Sequence, residues 1–308
     1  MRSATIALLS LLLIPAALAA PTRTVTGPAA VSALAFDAGR VAYASGRSAS
    51  DCNRVQVWNL STRGVTTFPR PTSCVQTSTG SGVSGLAIAG NRVLWAHYIG
   101  GNLREWTLWT ATTTKTKPLR LRFVTREADD PAPIVVGDGD SGSPGGILPY
   151  AVDREVIALR TNGARRFAWT APARVSALSA VGGELAVASA GGVVTVLDAG
   201  GNVLRSESYA SEVQAVELTA AGLVVQRGRT LELRGAGGPR TWSLPARARL
   251  DDAQGNRAYY VTGGQIRELR LDAVNRQRQL GLGSYAQVED SRLATSIGRR
   301  VLLRQPLP

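Results

Sequence analysis

One short event repeats along the chain, and Arg174–Asp198 shows it most plainly. RVSALSAVGGELAVASAGGVVTVLD is a hydrophobic run, a glycine turn, a second run, a second glycine turn and a third run. Runs this short and bounded by glycine read as strands, not helices. No stretch of about ten residues sustains a helical period. The chain must therefore bury its apolar residues by stacking small sheets.

The second run of the event, led by a Gly, Asn or Ser and a polar residue, returns throughout the sequence. Gly39–Ala44, Asn91–Ala96, Gly183–Ala188, Asn256–Val261 and Ser291–Thr295 are clear copies, and Gly146–Ala151 and Ala221–Val225 are weaker ones. The spacing falls from about 52 to about 35 residues, the range of one propeller blade. The expected fold is all-β, a seven-bladed β-propeller of four-stranded antiparallel blades. In the first blade the strands should be Val31–Phe36, Arg40–Ala44, Arg54–Leu60 and Gly64–Phe68. Later third strands should be Leu103–Thr110, Val156–Arg160, Val193–Leu197, Thr230–Leu233, Gln265–Leu271 and Arg300–Arg304.

The last copy stops after its third strand. Pro21–Pro28 leads into Val31-Ser32-Ala33-Leu34 as Arg165–Pro172 leads into Val175-Ser176-Ala177-Leu178, without a gap. Thr22–Thr26 is therefore expected to pair with the last strand and close the ring, which removes exposed sheet edges.

Val31–Arg40, with its Asp37-Ala38-Gly39-Arg40 turn, followed by Val55-Gln56-Val57-Trp58-Asn59, resembles a blade of the WD-repeat family. The resemblance implies a propeller over the whole mature chain, in a divergent and exported form. The family's Gly-His pair is absent, and Asn59 stands where its Trp-Asp dipeptide has Asp.

Arg2 followed by the apolar run Ile6–Ala17 and the Ala17-Leu18-Ala19 site reads as a signal peptide, residues 1–19, with an uncleaved anchor as the alternative. Residues 20–308 read as a single propeller domain in the secreted, periplasmic or cell-envelope space. No later run approaches the ~18 apolar residues of a membrane span. The formal net charge is +13, nearly all from Arg, with Lys only at Lys115 and Lys117. Arg in place of Lys, with abundant Ala and Gly, points to a high-GC bacterial genome. The charge is scattered, so a solvated surface is the first reading and an acidic envelope polymer the second. Nucleic acid is not expected, and neither is any cofactor. A monomer is expected. Cys52 and Cys74, in an oxidising compartment, suggest a disulfide closing a loop of about 22 residues, worth roughly 3 kcal/mol. Two free thiols are the alternative.

Propeller topology places the loops between strands two and three, and those between blades, on one face, here the top. The long ones fall in blades one to three: Ser45–Asn53, Pro69–Ser81, His97–Asn102 and Thr125–Pro133. Binding concentrates in elaborated loops, so the candidate binding residues are Asp51, His97, Tyr98, Arg126, Glu127, Asp129 and Asp130. His97, Asp129 and Asp130 are weak acid/base candidates. Asp138 and Asp140, with Ser141, are weak oxygen ligands for a cation. Gly139–Pro144 mimics a serine-protease segment, but His97 lies too close in sequence for that fold. The Trp residues lie in expected strands and should pack blade against blade. The expected function is an exported binding or scaffold module whose top loops meet a protein or an acidic polymer. A hydrolase or lyase in the central channel is the alternative.

Overall fold

The computed structural model describes residues 23–45, 54–70, 80–101, 103–127, 129–138, 146–273 and 276–304. The expected signal segment, Asp51, Cys52, Cys74, Asp140 and Ser141 lie outside them.

Among the described residues, twenty-eight strands form seven four-stranded antiparallel sheets. β1 (Arg23–Thr26) precedes blade one, which is β2 (Val31–Asp37), β3 (Arg40–Ser45), β4 (Arg54–Asn59) and β5 (Val65–Thr67). Blade two is β6 (Ser81–Ala89), β7 (Arg92–Ile99), β8 (Leu103–Thr112) and β9 (Leu119–Glu127). Blade three is β10 (Ile134–Val135), β11 (Ile147–Val152), β12 (Glu155–Arg160) and β13 (Arg165–Thr170). Blade four is β14 (Val175–Val181), β15 (Glu184–Ser189), β16 (Val193–Leu197) and β17 (Val203–Ser208). Blade five is β18 (Ala215–Thr219), β19 (Gly222–Arg227), β20 (Thr230–Gly235) and β21 (Gly238–Ser243). Blade six is β22 (Arg249–Gln254), β23 (Arg257–Thr262), β24 (Gln265–Arg270) and β25 (Gln277–Leu282). Blade seven is β26 (Ala286–Glu289), β27 (Arg292–Ile297) and β28 (Arg300–Arg304), completed by β1.

The N-terminal strand closes the last blade as its register predicts, with Arg23 opposite Leu303 and Thr26 opposite Arg300. The inner strand β2 packs against both β6 and β26, so blade one touches blades two and seven.

Apolar residues on both faces of each sheet leave no blade able to fold alone. Seven buried clusters among the described residues fill the junctions. The cluster of Leu34, Phe36, Tyr43, Val301 and Leu303, with Val25 packed on it, joins blades seven and one. Trp95 and Trp109 pack between blades one and two, Trp169 between three and four, Trp242 between five and six, and Trp58 at the closing junction. Trp106 differs and stacks on Tyr98 of its own blade at 5.1 Å between ring centroids.

A second set of ties joins blades through carboxylates at the ends of inner strands. Asp37 Oδ2 accepts the Gly90 N–H at 2.6 Å, from blade one to two. Asp138 accepts the Gly182 and Gly183 N–H groups at 2.8 and 3.0 Å, from three to four. Glu289 accepts the Gly39 N–H at 3.0 and 3.2 Å, from seven to one. These acids satisfy turn donors that would otherwise be orphaned at the blade junctions. Blade two carries Ala89 at this position. Its contact with blade three is made instead by backbone, because a Cβ on Gly137 would sit 2.1 Å from the Ile88 carbonyl oxygen.

Candidate functional site

Blade two is built longer than the rest. Its strands have 9, 8, 10 and 9 residues, and among the described residues no strand of another blade exceeds 7. The added length lies mainly towards the top, where β7 runs on to Ile99 and β8 begins at Leu103. This corrects the expected loop at His97, which is a strand residue. It pairs with Val83 and Thr107 and is only 5% exposed. Alternation along a strand puts it on the same side as Trp95. Burial lowers its pKa to about 4, so the imidazole is neutral at physiological pH. No carboxylate contributes to that shift.

Tyr98, the next residue, is only half-buried. Its ring lies over Gly82, directly across the ladder, where a Cβ would meet Tyr98 Cε1 at 2.6 Å. The glycine gives the ring its seat. Trp106 packs on the same ring, and the Arg104 guanidinium lies over it at 5.5 Å. Leu103 and Phe123 are 51% and 48% exposed; they face Glu127 and Thr107 across the β8–β9 ladder, four rungs apart and on the opposite face of the sheet from Tyr98, and Leu119 is 63% exposed at the other end of β9. One blade therefore presents two large apolar side chains on one face, an aromatic and arginine cluster on the other, and a third apolar side chain at its far end.

Arg126 and Glu127 end β9 at this same edge. Arg126 is committed to a two-pronged ion pair with Asp153 in the first turn of blade three after β11. The Asp153 carboxylate holds the Arg126 pKa up, and Arg126 holds that of Asp153 down. Arg122 makes a parallel bridge to Glu155 at 2.7 Å. These pairs fasten the outer strand of blade two to blade three. Asp129 is exposed and Asp130 partly so, in the turn that follows. The Asp130 N–H donates to Glu127 O at 3.2 Å. Tyr98, Arg126, Glu127, Asp129 and Asp130 thus share blade two and its exit, while His97 is sunk beneath them.

A second feature lies at the ring axis. The inner strands enclose a cavity of about 360 Å³. None of His97, Asp129 or Asp130 is among its lining residues. Among the described residues its carboxyl groups are Asp138, Glu217, Asp251 and Asp252, and no Lys or Arg lines it. Sequence reasoning missed Glu217, Asp251 and Asp252. The signal was present: Glu217 and Asp252 each stand two residues before the end of their inner strands, where blade one has Ala35 and blade three has Val136.

Among the described residues, no group of three His, Cys, Asp or Glu side chains is placed to hold a metal ion. No helix there is long and apolar enough to cross a membrane. No protein-family model matches the chain, and no curated protein matches it by sequence. Solved structures do match. A chain in the crystal structure of the mitotic checkpoint complex gives a TM-score of 0.61 at 13% identity, over 93% of this chain and 95% of that one. The crystal structure of Raptor from Chaetomium thermophilum gives 0.59 at 13% identity over 91% of this chain. This chain spans 28% of the Raptor chain's length. Likeness at that identity defines a fold, the seven-bladed WD40-like β-propeller, and no activity.

Proposed function

We propose that the protein is an exported binding or scaffold propeller that meets a partner protein through the elaborated side of blades one to three. The observation that carries this reading is the extended blade two, which exposes Leu103 and Phe123 on one face, carries the Tyr98–Trp106–Arg104 cluster on the other, and exposes Leu119 at the far end of β9. Apolar side chains together with aromatic and arginine residues have the composition of interface cores. The ion pairs to blade three hold this edge rigid, which lowers the ordering cost of association. An acidic envelope polymer is less favoured, because the basic residues Arg122 and Arg126 are already spent on Glu155 and Asp153. Export and a Cys52–Cys74 bridge belong to the same reading. Thiol titration of the denatured, unreduced protein should then find no free sulfhydryl.

The test is a photo-cross-linking residue placed at Leu103, Phe123 or Val203 in the producing cell. The reading expects one partner to be trapped from blade two positions and not from Val203, which is exposed on blade four. Trapping with equal yield from all three positions would reject it.

A further inference from the structure

The axial cavity is divided in character. Taking the residue two before the end of each inner strand, and the equivalent residue of blade three, one layer of the ring reads Ala35, Ala87, Val136, Ser179, Glu217, Asp252 and Gln287. Blades one to four supply small or apolar side chains there, and Leu34, Phe36, Leu86, Ile88 and Leu178 line the cavity around them. Blades five and six supply two carboxyl groups on adjacent strands.

These two acids have no countercharge. In the same layer, Ser179 Oγ accepts the Leu218 N–H of the following blade at 3.0 Å, and Asp252 Oδ2 accepts the Val288 N–H at 2.6 Å. Glu217 makes no such forward bond. Its Oε2 accepts the Ser179 hydroxyl at 2.8 Å, and among the described residues Oε1 has no partner. Asp251 is different, since Arg249 pairs with it at 2.7 Å and the Ala286 N–H donates to it at 2.6 Å. A ladder bulge falls on Asp251 and breaks the alternation of side chains, which lets consecutive aspartates both line the cavity. Among the described residues, no basic residue faces Glu217 or Asp252. Burial raises the Asp252 pKa to about 7 and that of Glu217 well above the carboxylate range, with Asp252 adding to the rise at Glu217. Buried charge without a partner is costly, and here it sits in a protein of formal net charge +13.

We propose that the axial cavity binds a small organic monocation, a primary ammonium on an apolar body, with the ammonium between Glu217 and Asp252 and the body against Leu34, Phe36, Leu86 and Leu178. The volume lies within the range of small-molecule sites. An ammonium supplies three donors, enough for the free Glu217 Oε1 and the Asp252 carboxylate together. The divided lining favours an amphipathic cation over a bare metal ion, for which no three His, Cys, Asp or Glu side chains are placed among the described residues. Binding restores ionisation of the pair, so it must release protons. The site goes beyond the blade two surface and does not depend on it.

Isothermal titration of the full-length mature protein with benzylammonium, benzyl alcohol and benzoate tests this. The expected result is saturable binding of one benzylammonium, with the neutral and anionic analogues weaker by about tenfold or more. Glu217→Gln and Asp252→Asn, which preserve shape, should each weaken benzylammonium by about tenfold or more. Titration of the unaltered protein near pH 7 in two buffers of different ionisation enthalpy should show proton release, a readout that needs no variant to fold. Absence of benzylammonium binding, equal binding of benzyl alcohol, unchanged affinity in both variants, or binding with no proton release would each overturn the assignment. A calcium ion that stabilises the protein where benzylammonium does not would overturn it too.

Discussion

The Glu289 carboxylate accepts the N–H of Gly39 across 250 residues of sequence, at 3.0 and 3.2 Å to its two oxygens. The bond crosses the seam at which the ring closes. Arg292 Nη2 completes the tie at 2.8 Å from Glu289 Oε2. Together with the β1–β28 ladder, it converts a row of blades into a ring.

Replacing the buried Glu289 with Ala leaves the half-buried Gly39 N–H without its acceptor. The expected loss is about 1.5 to 3 kcal/mol, the range for a hydrogen bond to a charged group. Urea unfolding measures it. Glu212→Ala, at an exposed position between β17 and β18, should change stability by less than about 0.5 kcal/mol.

Acid should stabilise this protein over a defined window. Burial raises Asp37 and Asp252 from 3.8 to about 7. A carboxyl whose folded pKa lies above its unfolded value favours folding while protonated. That contribution is complete below the unfolded pKa and is lost as pH rises through about 7. Urea midpoints should therefore be higher at about pH 6 than at about pH 8.5, by a few kcal/mol in all. Asp37→Asn should flatten the difference. His97 acts in the opposite sense, since its pKa is lowered to about 4 and its contribution is lost as pH falls from 6.5 through that value. Stability should thus gain less with acid below pH 6 than the two carboxyls alone would give.

Gly137 has no room for a side chain. A Cβ there would meet Ile88 backbone at 2.1 Å, and backbone cannot swing aside as a flexible side chain can. Gly137→Ala should cost about 1 to 3 kcal/mol as the inner strands of blades two and three are forced apart. Gly64→Ala, whose nearest neighbour is a threonine hydroxyl at 3.4 Å, should be near neutral. Thermal unfolding of the two variants side by side checks the contrast.

The architecture was legible because each blade repeats the same local code. β16 and β28 match their expected bounds, and β1 pairs where the alignment of Pro21–Pro28 with Arg165–Pro172 puts it. The site was legible only in part. Tyr98, Arg126 and Glu127 were placed on the right blade, but His97 reads as a loop residue from sequence because a polar residue after Trp95-Ala96 looks like the end of a run. Two further turns of pleat bury it instead. The axial carboxylates were missed for another reason. An acid in a strand reads as solvent-facing, and only the ring topology turns the inner edge of β18 and β22 towards a cavity. Asp138, a weak candidate oxygen ligand in the sequence, accepts glycine N–H groups of the next blade with both carboxylate oxygens.

The central claim, that blade two carries the partner surface, is tested most directly by one affinity comparison. The partner trapped from Leu103 is purified, and its binding to Leu103→Asp/Phe123→Asp is measured against Val203→Asp/Leu204→Asp. All four residues are about half exposed, so both pairs should fold. The account predicts that the blade two pair loses at least about tenfold in affinity while the blade four pair binds as the unaltered protein does. Equal affinity for the two double variants would contradict it.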